Sequence, residues 1–181
     1  RDHYVWLDRF TIRNLEIFQS LYEGAHTLLD VMDRTVTPMG SRLMKRWISL
    51  PLKDVLLIRE RHNMVEYIRG EEDFREFLAG QIKQIGDLER IISKVAVGRV
   101  SPRELIQLKN ALGAIAPLKE QCEGSSEVSL QQLATQLDPC SEVRERIQRE
   151  IEAEPPALIN KGGVIADGVS EDLDELREIM H

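Results

Sequence analysis

Cysteine occurs only twice in the 181 residues, as Cys122 and Cys140, and the two do not form a Cys-x-x-Cys pair. A zinc site or a thioredoxin-like motif therefore has no support, and both thiols are expected as small buried hydrophobes in a reducing compartment. Aromatic residues make up 5% of the chain. No apolar run approaches the ~20 residues that a membrane-spanning helix needs. The opening Arg1-Asp2-His3-Tyr4-Val5-Trp6 lacks the charged-then-apolar layout of a signal peptide, so a cytoplasmic location is expected. Positive charge is also in deficit: 24 Lys and Arg stand against 31 Asp and Glu, for a net charge of −7. Broad phosphate contact calls for a basic surface that neutralises phosphates, which argues against the chain as a whole gripping nucleic acid over a wide area.

The residue patterns of catalysis are missing as well. There is no Gly-x-x-x-x-Gly-Lys-Ser/Thr loop to cradle a nucleotide phosphate. Gly162-Gly163 neither follows a strong strand nor sits in a βαβ unit, so a tight turn is a better reading than a dinucleotide site. His3, His26, His62 and His181 are scattered, with none one helical turn from another ligand, which gives no support to a metal site. Carboxylates cluster at Glu71-Glu72-Asp73 and from Glu171 to Glu178. At helix starts such groups complement the helix dipole in solvent, whereas acid catalysis needs carboxylates in contrasting environments within a pocket. No serine or cysteine has a local base to activate it. Catalytic, cofactor-binding and metal-ligating residues are expected to be absent, and an enzyme ranks last among the functional readings.

What the chain does have is helical periodicity. Its 42% apolar and 30% charged residues are ordinary for a globular protein, and the length allows one sizeable domain with a core. The expected fold class is mainly α, a multi-helix bundle with a small β-hairpin near the C-terminus. Leu7 to Tyr22 reads as an extended entry and a helix ended by Gly24, with Ile12, Leu15 and Phe18 inward. Short helices follow around Leu28–Met32, then from Asp54 to Gly70, and from Phe74 to near Gly86. Leu88, Ile91, Ile92 and Val95 recur at i, i+3, i+4 and i+7, which predicts another helix. Ser101-Pro102-Arg103-Glu104 is a capping box with proline at the first helical position. Behind it Leu105, Leu108, Leu112, Ile115, Leu118 and Cys122 predict a helix of roughly twenty residues, which Pro117 should kink or end early. Gly124-Ser125-Ser126 is a loop, Val128 to Leu137 a further helix, and Cys140, Val143, Ile147 and Ile151 form a thin apolar seam on a densely charged one. Pro155-Pro156 ends the helical run. Ala157 to Asn160 and Val164 to Ala166 around Lys161-Gly162-Gly163 give the expected hairpin, and Ser170 caps a last helix running to His181.

Thr37 to Trp47 says most. Thr37 is a good N-cap and Pro38 suits the first helical position. Met39, Leu43, Met44 and Trp47 make an apolar stripe. Were Trp47 fully buried, Trp47→Ala would cost ~3–5 kcal/mol. Arg42, Lys45 and Arg46 lie at i, i+3 and i+4 and share a second, basic face. That face can be a solvated surface with ordinary salt bridges, a docking face for an acidic neighbouring domain, or a phosphate contact.

The same stretch carries a resemblance. Leu7-Asp8 with Thr11 to Ile17, then Leu28 to Arg42, are similar to the opening of the core domain of the MutS family, bacterial DNA mismatch-recognition ATPases; Trp47 and Pro51 fall where that family has them. Ile85-Gly86-Asp87-Leu88-Glu89-Arg90 looks like its second core motif and Gly98 to Leu105 like a third. Asn160 to Gly168, with Leu173 to Arg177, looks like a fourth, so the motifs span nearly the whole chain in family order.

The resemblance implies one helical core-and-lever segment, residues 1–181, cut at both ends from a larger protein. In the family this element joins the ATPase to the DNA clamp and transmits nucleotide state by rigid helices moving about short joints. It implies no catalysis here, with ATP and magnesium held in an ATPase domain outside the segment. Implied partners are the neighbouring domains, mismatched double-stranded DNA reached through the larger protein with little direct contact here, and a second copy in a homodimer, with no membrane. Two alternatives stand beside it: an autonomous helical interaction or dimerisation module using the seam at Cys140 to Ile151, and the core of a MutS-like protein without mismatch recognition.

Overall fold

Residues 3–179 are described by a computed structural model; Arg1, Asp2, Met180 and His181 lie outside it, and with them the end of the last predicted helix. The helices in chain order are α1 (Arg9–Asn14), α2 (Leu28–Met32), α3 (Pro38–Ser49), α4 (Val55–Gly70), α5 (Glu72–Ile85), α6 (Leu88–Ala96), α7 (Pro102–Glu123), α8 (Val128–Thr135), α9 (Ser141–Glu150) and α10 (Glu171–Ile179). No helix among the described residues is long and apolar enough to cross a membrane.

The core is organised by α7. Its start is fixed locally: Glu104 N donates to Ser101 Oγ at 3.2 Å and Ser101 N donates to Glu104 Oε2 at 2.9 Å, so two otherwise unsatisfied amides are met at once. The 22-residue helix is about 33 Å long at 1.5 Å per residue. Leu108, Leu112 and Ile115 are buried with Ile91 of α6 and Ile147 of α9. One turn further on, Leu118 and Cys122 are buried with Ala134 of α8, and Phe74 and Leu78 of α5 pack against them. The six apolar positions predicted for α7 thus face its neighbours. Cys122 is buried as expected, and its burial pushes the thiol pKa up.

Pro117 does not end α7, which continues six residues past it to Glu123. Proline removes one helical N–H and crowds the carbonyl four residues back. That residue is Gly113, and the burial of Leu118 and Cys122 beyond the proline rewards continuing the helix. The seam of α9 is also spent internally: Ile147 is buried, and Cys140 and Ile151 pack against the α7 cluster. Only Val143 of the seam stays exposed, at 48%.

Before Leu88 only Ile17, Thr27 and Thr37 are buried among the described residues. The predicted helix to Tyr22 is cut short at Asn14, because Glu16 turns into the left-handed region at φ 49°. There Ile17 N bonds Ile12 O, and Leu29 N bonds Ile17 O at 3.0 Å. Ile17, not Leu15, turns inward, at 3% against 63% exposure. Thr27 and Asp30 form a capping box for α2. Thr37 caps α3 as expected, accepting from Gly40 N at 3.1 Å. Trp47 is 41% exposed, and the Arg61 guanidinium lies 3.6 Å over its ring. Its burial is therefore partial, with a cation of α4 over the ring.

The expected hairpin is not there. Ile159–Lys161 forms one turn of 3-10 helix, closed by Lys161 N to Leu158 O and Gly162 N to Ile159 O. Gly162 and Gly163 both take positive φ, a turn that glycine makes without a Cβ penalty. The second half of the predicted hairpin pairs elsewhere: Glu152 N donates to Val164 O and Ala166 N to Glu150 O, around an antiparallel bridge between Ile151 and Ile165. The end of α9 supplies the Glu150 carbonyl and the Glu152 amide for this pairing, while Ile159 and Asn160 go into the 3-10 turn.

Leu112→Ala should therefore lower unfolding free energy by about 2–5 kcal/mol. Trp47→Ala, which loses a half-covered ring and a cation–π contact, should cost only about 2 kcal/mol. Denaturant melts compare them directly, and the reverse order would mean that α7 is not the centre of the core.

Candidate functional site

The basic face of α3 is divided among three environments. Arg42 faces the start of α6. Its Nη2 reaches Asp87 Oδ1 at 2.6 Å and Glu89 Oε2 at 2.7 Å, its Nη1 reaches Asp87 Oδ2 at 3.2 Å, and its Nε reaches Glu89 Oε2 at 3.0 Å. The planar fork suits such paired contact. Asp87 is the N-cap of α6, accepting from Arg90 N at 3.3 Å. Gly86 at φ 62° turns the chain from α5 into that cap. The hydrogen bonds from Arg42 hold the Asp87 carboxyl below the usual carboxylate range, and in return the guanidinium keeps its proton more firmly than usual. Arg42 is thus a tie between α3 and α6 inside the chain.

Lys45, one turn further on, meets different partners. Its Nζ lies 5.0 Å from the Phe18 ring centroid, a cation–π contact. With Arg9, Arg13, Ile12, Phe18 and Gln19 it lines a cleft of about 280 Å3. Arg9 and Arg13 stand one turn apart on α1 and share a face. No carboxylate lines this cleft, and none of its three cations has an ion-pair partner among the described residues. Arg46 is exposed. The fold therefore brings Lys45 together with Arg9 and Arg13, and separates it from Arg42. The i, i+4 spacing of Arg9 and Arg13 was a visible signal for them, whereas their meeting with Lys45 depends on the turn at Glu16.

The family model described as MutS domain III matches residues 10–181. The chain belongs to the MutS domain III family. It is 55% identical to the DNA mismatch repair protein MutS of Parabacteroides distasonis over 180 residues, which is 99% of this chain and 21% of that protein. With the protein of the same name from Bacteroides thetaiotaomicron it shares 56% over 180 residues, 99% of this chain and 21% of that protein. With that of Flavobacterium johnsoniae it shares 49% over 178 residues, 98% and 20% respectively. The chain thus spans about a fifth of the length of these curated relatives. All four MutS-like motifs fall within or overlap the domain III match: Arg42 and Asp87 in the first two, Ser101 and Glu104 in the third, Gly162 and Arg177 in the fourth.

The Arg42–Asp87 tie has a pH signature. Because the folded Asp87 pKa is depressed, its stabilising contribution is present above the unfolded value of about 3.9 and is lost as pH falls through the lower folded value. Arg42→Gln removes the largest cause of the depression and leaves the Arg90 amide as a smaller one. Melts between about pH 7 and pH 3 should therefore show a shallower acid-side loss in the variant, and parallel curves would mean that the pair does not stabilise the fold.

Proposed function

We propose that this chain is the helical core and the beginning of the lever of a longer, cytoplasmic DNA mismatch-repair protein. The longer protein recognises mismatched double-stranded DNA and hydrolyses ATP with magnesium in another domain, and acts as a homodimer. This segment, residues 1–181, has no catalytic role; it links the ATPase to the DNA clamp. The observation that carries this reading is the match to domain III over residues 10–181.

The geometry suits such a role. Four helices clasp α7, which makes a stiff body. The passage to α10 is pinned by side chains of that helix: Arg177 Nη1 meets Asp167 Oδ1 at 2.5 Å, its Nη2 donates to Ile165 O at 2.8 Å, and Gly168 N donates to Asp174 Oδ2 at 2.8 Å. The N-terminal part leaves Trp6, Phe10, Leu21 and Tyr22 between 62% and 77% exposed, an apolar surface suited to a neighbouring domain. The cleft of Arg9, Arg13 and Lys45 is the docking point for an acidic surface of that neighbour, favoured over DNA by its small size and the net charge of −7.

Full-length protein should bind a mismatched duplex in preference to a matched one, and the 181 residues alone should neither do so nor hydrolyse ATP. Mismatch-selective anisotropy by the chain alone at physiological salt would end this reading. Arg9→Glu with Arg13→Glu in the full-length protein should increase protease cleavage near the cleft and leave the salt dependence of DNA binding unchanged. A slope of log K against log salt that falls by roughly 0.9 per lost phosphate contact would assign the cleft to DNA instead.

A further inference from the structure

Helices α5 and α9 both pack on α7, and a second cleft, of about 610 Å3, opens between them. Its floor is made of small residues, Gly113 and Ala114 of α7, and its walls carry Lys109, Asn110, Arg144, Gln84 and Gln148. Every polar side chain among these can donate a hydrogen bond, and none is a carboxylate. In a chain of net charge −7 such a grouping is out of balance with its surroundings. Neither Lys109 nor Arg144 has an ion-pair or side-chain hydrogen-bond partner among the described residues, although ten ion pairs are formed elsewhere.

Arg144 supplies a second, independent observation. Its Nε is buried without a hydrogen-bond partner among the described residues, a condition that folded proteins rarely leave unanswered. The side chain lies along the cleft floor, with Nη1 3.7 Å and Cδ 3.8 Å from where a Cβ on Gly113 would sit. Glycine at this point of α7 leaves room for the Arg144 side chain, which lines the cleft together with Lys109 and the three amides.

We propose that this cleft is a binding site for a phosphate-class oxyanion. An ammonium and a guanidinium supply charge, and the fork matches paired oxygens. Three amide side chains add further donors, more than the two oxygens of a single carboxylate use. The site is distinct from the Arg9–Arg13–Lys45 cleft and shares no residue with it. It stands whether or not the chain serves mismatch repair.

The test is lysine-acylation footprinting of the full-length protein, read at Lys109 by peptide mass spectrometry, in inorganic phosphate and in chloride of equal ionic strength. With phosphate at about twice its Kd, acylation of Lys109 should fall roughly threefold, while the exposed Lys83 and Lys161 react equally in both salts. Arg144→Gln should abolish the protection, and Arg144→Lys, which keeps the charge and loses the fork, should retain part of it. Equal reactivity in the two salts, or full protection in Arg144→Gln, overturns the proposal. So does a Lys109 that is unreactive in both, which would place an acidic segment of the longer polypeptide in the cleft.

Discussion

Burial against α7 is the constraint on which the helical part of this chain depends. Helix α9 is charged on all sides but one, and α8 is short. Such helices are marginal alone, because nucleation is costly and propensity weak. They persist because each buries an apolar edge on the same 22-residue helix: Ile147 from α9, Ala134 from α8, Ile91 from α6 and Phe74 from α5. The capping box at Ser101 fixes where that helix starts, and so fixes the axial position of every neighbour.

The part before Val55 follows different physics. With three buried residues among those described, it is held by caps and ties. Arg42 grips Asp87 and Glu89, His3 meets Asp54 at 2.8 Å, and the main chain at His3 and Val5 pairs with Lys53 and Pro51. Partly exposed ties of this kind fix geometry more than they add free energy. The exposed aromatic and aliphatic side chains around α1 and α2 are the corollary: this region carries apolar area that α7 does not reach.

Legibility divides along the same line. The α7 start, its stripe and the Thr37 cap were readable because their chemistry lies within four residues of chain. The proline at 117 does not end the helix, because its local cost is outweighed by burial one turn later. The hairpin misled because Val164 to Ala166 found its partner at the end of α9, a choice made by tertiary proximity. Trp47 looked like core from its spacing, yet Arg61 covers it from another helix. The basic face of α3 was legible as a face. That one of its residues ties helices together while another joins α1 was not, since those partners come from 45 residues ahead and from beyond the unforeseen turn at Glu16.

Charge placement carries the last step. Cations that hold this fold together are matched: Arg42 by Asp87 and Glu89, Lys94 by Glu104, Arg177 by Asp167 and Asp174. A protein with 31 carboxylates has ample partners for its remaining cations, yet the two carboxylate-free clefts collect five of them without one. Like charges held together are repulsive unless an anion is shared. Their grouping, beside Phe18 in one cleft and along Gly113 in the other, is therefore a property that the internal packing does not require.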